Sequence, residues 1–238
     1  ALVQGRQHLW TRLGAAGQIL ETLRAHDIRD VVMIGAIRRP SLTELRPDLT
    51  AAGFFARLGF RALGDDGLLG ALKIFLQEQG FAVHGVQRFV QGLLARPGVL
   101  GRVKPHADDS DDIRRGFAVA RALGLMDVGQ SVIVQQGIVL GVEGAEGTDA
   151  LIRRCHYLHR AGRGGILVKA SKPQQDDMLD LPTIGPETVE AAAQNGLAGI
   201  VVEAGRSLIV DVDEAVRRAD RHKIFIMAMD SAEHEANA

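Results

Sequence analysis

Several stretches of this chain are apolar without a break. They include DVVMIGAI (30–37) and the Ile166-Leu167-Val168 core of GILVKAS (165–171); IFIMAMD (224–230) reads as a final strand. A strand with one wet face alternates polar and apolar residues, and these stretches do not. Strands buried on both faces belong between layers of helices, as in parallel sheets of α/β proteins. Amphipathic or well-capped stretches at 15–26, 65–80, 111–125, 147–160, 186–196 and 213–223 read as helices. Strands alternating with helices predict an α/β fold of two domains. Each is expected to be a largely parallel sheet with flanking helices, the N-terminal one Rossmann-like.

Local signals sharpen the order of elements. FFARLGF suggests a helix within 41–64, and FAVHGVQRF (81–89) alternates enough for a strand. QSVIVQQGIVLGVEG (130–144) reads as two strands joined at Gln136-Gly137, and 199–213 as a second hairpin. Pro186 at the start and Gly196 at the end mark one helix clearly. Ser110 or a neighbouring aspartate is placed to cap the helix from 111. Residues 95–112 hold two prolines, two glycines and an acidic cluster, and read as a linker. The expected domains are therefore 1–105 and 106–238, the second one catalytic.

Composition narrows the function. A formal net charge of -1 gives no global field for nucleic acid, so none is expected as a partner. Cys155 is the only cysteine, which rules out an internal disulfide and fits a reducing cytoplasm. No apolar run approaches the roughly 20 residues that span a bilayer. No basic-then-apolar leader opens the sequence.

Ligands of open parallel sheets gather outside the carboxyl ends of the strands, and four such ends are polar. Arg38-Arg39 is either a solvated basic turn or a pair of guanidiniums for phosphate. Glu143-Gly-Ala-Glu146-Gly-Thr148-Asp149 is either a turn with a helix cap or a helix start for an anion, with glutamates for a metal. KASKPQQDDMLDLPTIG (169–185) is either a charged loop or a metal–phosphate site. In the second case Lys169 and Lys172 neutralise phosphate, and Asp176, Asp177 and Asp180 supply oxygen ligands of the kind Mg²⁺ or Mn²⁺ prefers. Glu203-Ala-Gly-Arg206 is either an exposed turn or part of the same cleft. The spacing of a P-loop is missing. His156 and His159 lack a carboxylate pattern for a metal, and Cys155 has no motif neighbour.

GAIRRPSLTELRPD (35–48), the stretch from Asp127 to Arg154 with EGTD at its centre, and VKASKPQQDDMLDLPTIGPETVE with its continuation to Asp211 together resemble the LpxI-type UDP-2,3-diacylglucosamine pyrophosphatases of lipid A biosynthesis. The resemblance covers about 14 to 230. It implies hydrolysis of a lipid-linked sugar nucleotide to UMP and 2,3-diacylglucosamine 1-phosphate (lipid X), with water attacking the sugar-side phosphorus. It also implies a divalent metal, typically Mg²⁺ with Mn²⁺ as the alternative, and a lipid product held between two domains. The family's essential aspartate maps onto Asp180.

On this basis the expected catalytic residues are Asp180, Lys169 and Lys172, and the metal ligands Asp180, Asp176 and Glu146. Substrate contacts are expected from Arg38, Arg39, Gln130, Gln175, Thr148, Thr183, Glu203 and Arg206. Apolar side chains of 54–76 are candidates to line a chamber for the acyl chains, with a plain core as the alternative. The expected setting is cytoplasmic or peripheral at the inner membrane, with homo-oligomer formation a further expectation. Two departures stand out. The family's glycine-rich first strand is absent from this sequence, so the N-terminal domain is expected to be incomplete. Met178 stands where the family carries arginine, which leaves Lys169, Lys172 or Arg206 to compensate. The second function expected from these departures is a non-catalytic sugar-nucleotide or lipid-binding module, and the third a structural partner of lipid enzymes.

Overall fold

The computed structural model describes residues 3–35, 45–58, 65–173 and 181–230. The chain divides into two compact units, Ala1–Val86 and Gln87–Ala238. Arg38, Arg39, Gln175, Asp176, Asp177, Met178 and Asp180 lie outside the described residues.

In the first unit, α1 (Ala16–Ala25) leads into β1 (Asp30–Val32), followed by α2 (Leu49–Leu58), α3 (Asp65–Glu78) and β2 (Ala82–His84). β1 and β2 are parallel neighbours, Val31 opposite Val83. Leu20, Phe54, Phe75, Leu76, Phe81 and Val83 are buried, and the Phe54 and Phe75 rings meet edge to face at 4.9 Å. Asp48 starts α2: its Oδ1 accepts the Ala51 N–H at 2.8 Å, while Oδ2 accepts the Gly17 N–H of α1 at 2.7 Å. One carboxylate thus satisfies an open helix end and joins two helices. The strand expected over 30–37 as buried on both faces is only Asp30–Val32 among the described residues and is partly exposed, with Ile34 exposed beyond it. The strand expected over 81–89 stops at His84. A single 3₁₀ turn, Val86–Arg88, replaces its second half.

The second unit is built on six strands: β3 (Gly98–Leu100), β4 (Ser131–Gln135), β5 (Ile138–Val142), β6 (Ile166–Lys169), β8 (Gly199–Glu203) and β10 (Phe225–Met229). Their order across the sheet is β3-β10-β8-β6-β4-β5. β6, β8 and β10 run parallel at the centre, β3 and β4 run antiparallel to their inner neighbours, and β5 returns antiparallel to β4. Helix α4 (Asp109–Leu125) covers one face; α5 (Thr148–Cys155), α6 (Pro186–Gln194) and α7 (Val212–His222) supply apolar residues to the other. Along β6, Ile166 and Val168 pack towards α4 while Leu167 packs with α5 and α6. Both faces are dry, which is why the sequence shows an unbroken apolar run.

The hairpin expected at Gln136-Gly137 forms. Both residues have positive φ, 51° and 73°, as a tight two-residue turn demands. Both N–H groups donate to the buried carboxylate of Asp112, at 2.8 and 2.6 Å. Two expectations are corrected. Residues 199–213 are not a hairpin: β8 lies between two parallel neighbours, whereas β9 (Leu208–Ile209) pairs with β7 (Thr183–Ile184) in a separate parallel pair. Both edges of β8 are taken, so β9 has to pair elsewhere. The 95–112 stretch, read as linker, contains β3 and the start of α4, both parts of the second unit. The helix expected over 147–160 ends at Cys155 and closes with a 3₁₀ turn, His156–Leu158.

Candidate active site

Strand directions gather one edge of the sheet. β5, β6, β8 and β10 end there, and β4 begins there. The residues at these ends are Glu143, Lys169, Glu203, Asp230 and Gln130-Ser131. Helix α5 starts beside them at Thr148. Gly147 precedes it with φ 81°, a value that glycine adopts without strain.

Polar groups rarely stay buried without partners. Lys169 is only 6% exposed, and its Nζ donates to Thr148 Oγ1 at 2.7 Å. The Thr148 hydroxyl donates in turn to Glu143 Oε1 at 2.6 Å, and Ser131 Oγ stands 3.3 Å from it. Glu143 Oε2 accepts the Gln130 backbone N–H at 3.1 Å. On the far side of β6, Glu203 is 2% exposed, and its Oε2 accepts both the N–H and the hydroxyl of Ser171, at 3.0 and 2.6 Å. Arg121 Nη2 of α4 lies 3.8 Å from Glu203 Oε1. Lys172, also buried, donates to Asp127 Oδ1 at 2.7 Å. Two lysines are thus held at the end of one strand by a threonine, an aspartate and a pinned serine turn.

The expected residues fall into groups. Gln130, Thr148, Lys169, Lys172 and Glu203 share this edge. Gln130 Oε1 is buried without a hydrogen-bond partner, a neutral oxygen left open next to the cluster. Arg206 follows β8, with its N–H 3.4 Å from the Glu203 carbonyl oxygen. Thr183 sits on β7 and donates to the Leu181 carbonyl. Glu146 lies before α5, where its Oε1 takes the Arg154 guanidinium and its Oε2 the Gly144 N–H. Its own backbone N–H, and then Arg154, hold its carboxyl below the usual glutamate value. Among the described residues, no three His, Cys, Asp or Glu side chains are grouped as a metal site.

Ser131, Asp127, Ser171 and Arg121 escaped the sequence reading, as did the role of Glu143. Glu143 closes β5, a partly exposed strand, so no burial signal in the sequence set it apart. Two open cavities of about 520 and 400 Å³ lie along residues 90–97, away from the lysines; the smaller reaches Ala204, Gly205 and Asp230 on the same edge. Buried, mutually bonded charges are a stronger mark of chemistry than open volume, so the lysine cluster is the candidate centre.

The family model of the LpxI N-terminal domain matches residues 2–93, and that of the LpxI C-terminal domain matches 96–227. The chain belongs to the LpxI family. Its similarity to UDP-2,3-diacylglucosamine pyrophosphatase LpxI of Caulobacter vibrioides is 39% identity over 228 residues, which covers 93% of this chain and 81% of that protein. The lysine cluster falls wholly in the LpxI C-terminal domain, and Arg38 and Arg39 fall in the N-terminal one. No helix among the described residues is long and apolar enough to cross a membrane.

Proposed function

We propose that this LpxI-family chain hydrolyses the pyrophosphate bond of UDP-2,3-diacylglucosamine, releasing UMP and 2,3-diacylglucosamine 1-phosphate. The observation that carries the proposal is the pair of buried lysines, Lys169 and Lys172, fixed at the C-terminal end of β6 by Thr148 and Asp127. A pyrophosphate gathers negative charge as it is cleaved. Cations oriented before the substrate arrives stabilise that charge without reorganising. Water attacks the sugar-side phosphorus and forms a new P–O bond there. The bridging P–O bond breaks and its oxygen leaves with UMP. Asp180, eleven positions after Lys169, orients the water and accepts its proton. Arg38 and Arg39 are assigned to phosphate of the substrate. Gln130, Gln175, Thr183 and Arg206 position the remainder of the sugar nucleotide.

A divalent cation, Mg²⁺ or Mn²⁺, belongs to the same proposal. The unpartnered acceptor Gln130 Oε1 is an oxygen of the kind such an ion takes. Asp180 and Asp176 would hold it, with Glu146 joining once released from Arg154. When bound, the ion neutralises phosphate charge and makes water easier to deprotonate.

The test is UMP release from UDP-2,3-diacylglucosamine, followed by phosphorus NMR. Asp180→Ala should lower turnover on the order of 100-fold or more, as removal of a general base does. Chelation should suppress the wild type and Mg²⁺ restore it. Retention of activity within a few-fold by Asp180→Ala removes that residue from its role. Substrate binding by the wild type with no UMP at any metal concentration favours the non-catalytic module.

A further inference from the structure

We infer that Glu143 is a positioning residue for the hydrolytic reaction, acting on Lys169 through the Thr148 hydroxyl. The inference rests on the proposed hydrolysis. Glu143 closes β5 and is 7% exposed, yet it faces Lys169 across a single hydroxyl rather than directly. A hydroxyl has one proton to give and two lone pairs to offer. Thr148 gives its proton to Glu143 Oε1 at 2.6 Å, so only lone pairs remain on the side of Lys169 Nζ at 2.7 Å. The ammonium of Lys169 can only donate; by taking the Thr148 proton the carboxylate keeps a lone pair of that hydroxyl turned towards Nζ and holds the acceptor in place.

The backbone keeps Glu143 in place. Oε2 accepts the Gln130 N–H at 3.1 Å, and the Glu143 N–H donates to the Ser131 carbonyl at 2.8 Å. A Cβ on Gly129 would come within 2.2 Å of the Glu143 carbonyl oxygen, so the start of β4 and the end of β5 touch where only glycine fits. Both carboxylate oxygens are used as acceptors. An amide can accept at one oxygen only, so Glu143→Gln must turn a donor towards either Gln130 N–H or Thr148. It removes one of the two bonds while keeping the shape.

The experiment is steady-state hydrolysis of UDP-2,3-diacylglucosamine by the full chain and its Glu143→Gln, Thr148→Val, Thr148→Ser and Glu143→Gln/Thr148→Val variants. Glu143→Gln should lower kcat on the order of tenfold, the usual scale for a group that orients a working residue, with KM changed much less. Thr148→Val should do at least as much. The double variant should be no worse than Thr148→Val alone, because the path from Glu143 is already cut. Thr148→Ser, which keeps the hydroxyl, should return most of the activity. Multiplicative losses in the double variant, or kcat within twofold of wild type in Glu143→Gln, overturn the inference. If Glu143→Gln does not fold, a folded Thr148→Val with wild-type kcat overturns it equally. An inactive wild type overturns the hydrolytic proposal itself, and this inference with it.

Discussion

Replacing Glu203 separates two ways of losing a carboxylate. Its Oε2 alone accepts both Ser171 bonds, while Oε1 faces Arg121 at a longer 3.8 Å. Glu203→Ala removes both Ser171 bonds and leaves the Ser171 N–H and hydroxyl buried without a partner. Hydrogen bonds to a charged group are worth about 1.5–3 kcal/mol each. Two of them sharing one oxygen, with some relief from relaxation, give a loss of about 3 kcal/mol. In a unit of this size that corresponds to roughly 6–12 °C in melting temperature. Glu203→Gln can place its carbonyl oxygen where Oε2 sits and keep both Ser171 bonds as neutral ones. It loses only the charge assistance and the weak Arg121 attraction, about 1 kcal/mol. The assay is thermal unfolding of both variants, with UMP release measured beside it, since Ser171 sits between the two lysines. Equal melting temperatures for Ala and Gln, or an Ala variant within about 1 kcal/mol of wild type, would show that Ser171 is held by something else.

Two further outcomes are expected. The Ala51 N–H first, then the Gly17 and Thr50 N–H groups and Arg12, hold the Asp48 carboxyl below its usual value, outweighing its partial burial. A lowered folded value means that the stabilisation is complete above the ordinary aspartate range and fades as pH falls through the folded value. Asp48→Asn has a single carbonyl oxygen and keeps only one of the Ala51 and Gly17 bonds, so it should cost about 1 kcal/mol near neutrality and flatten the acid limb of the first unit's stability curve. An unchanged acid limb would contradict this. On α4, a Cβ at Gly116 would lie 2.4 Å from Val168 Cγ2, one residue before Lys169. Gly116→Ala should destabilise by about 1–2 kcal/mol, overpacking outweighing the helix gain, and Val168→Ala in the same chain should recover part of the melting temperature.

The features legible in sequence are those that local chemistry decides. The apolar run at 166–168 marked the central strand β6 and 224–230 marked β10, and Gln136-Gly137 marked a hairpin that forms, whereas the equally apolar 30–37 yields only the short, partly exposed β1. Pro186 and the glycine at 196 framed α6. The errors share a cause. A turn at Glu203–Arg206 says that the chain changes direction, not which strand it will pair with, and both edges of β8 were already claimed by β6 and β10. β3 was hidden because its three residues follow proline and glycine signals and acquire strand character only beside β10. Within the candidate site, Lys169, Lys172 and Thr148 stood out as polar residues at strand ends and a helix start. Glu143, Asp127 and Ser171 act through partners that are far away in sequence or on another element, and no spacing rule links Asp127 to Lys172 or Arg121 to Glu203.

The pairing of β3 with β10 also sets an order of events during synthesis. Val99 at the start of the second unit finds its place only against Met227 near its end. Until that last strand is made, β8 has an open edge of buried-type residues, and β3 has no ladder to join. Loop closure over such a distance is slow, and exposed strand edges invite association. The native sheet of this unit can therefore be completed only after nearly all of it has emerged. A chain stalled before Phe225 would present the edge of β8 bare, on the strand that carries Glu203.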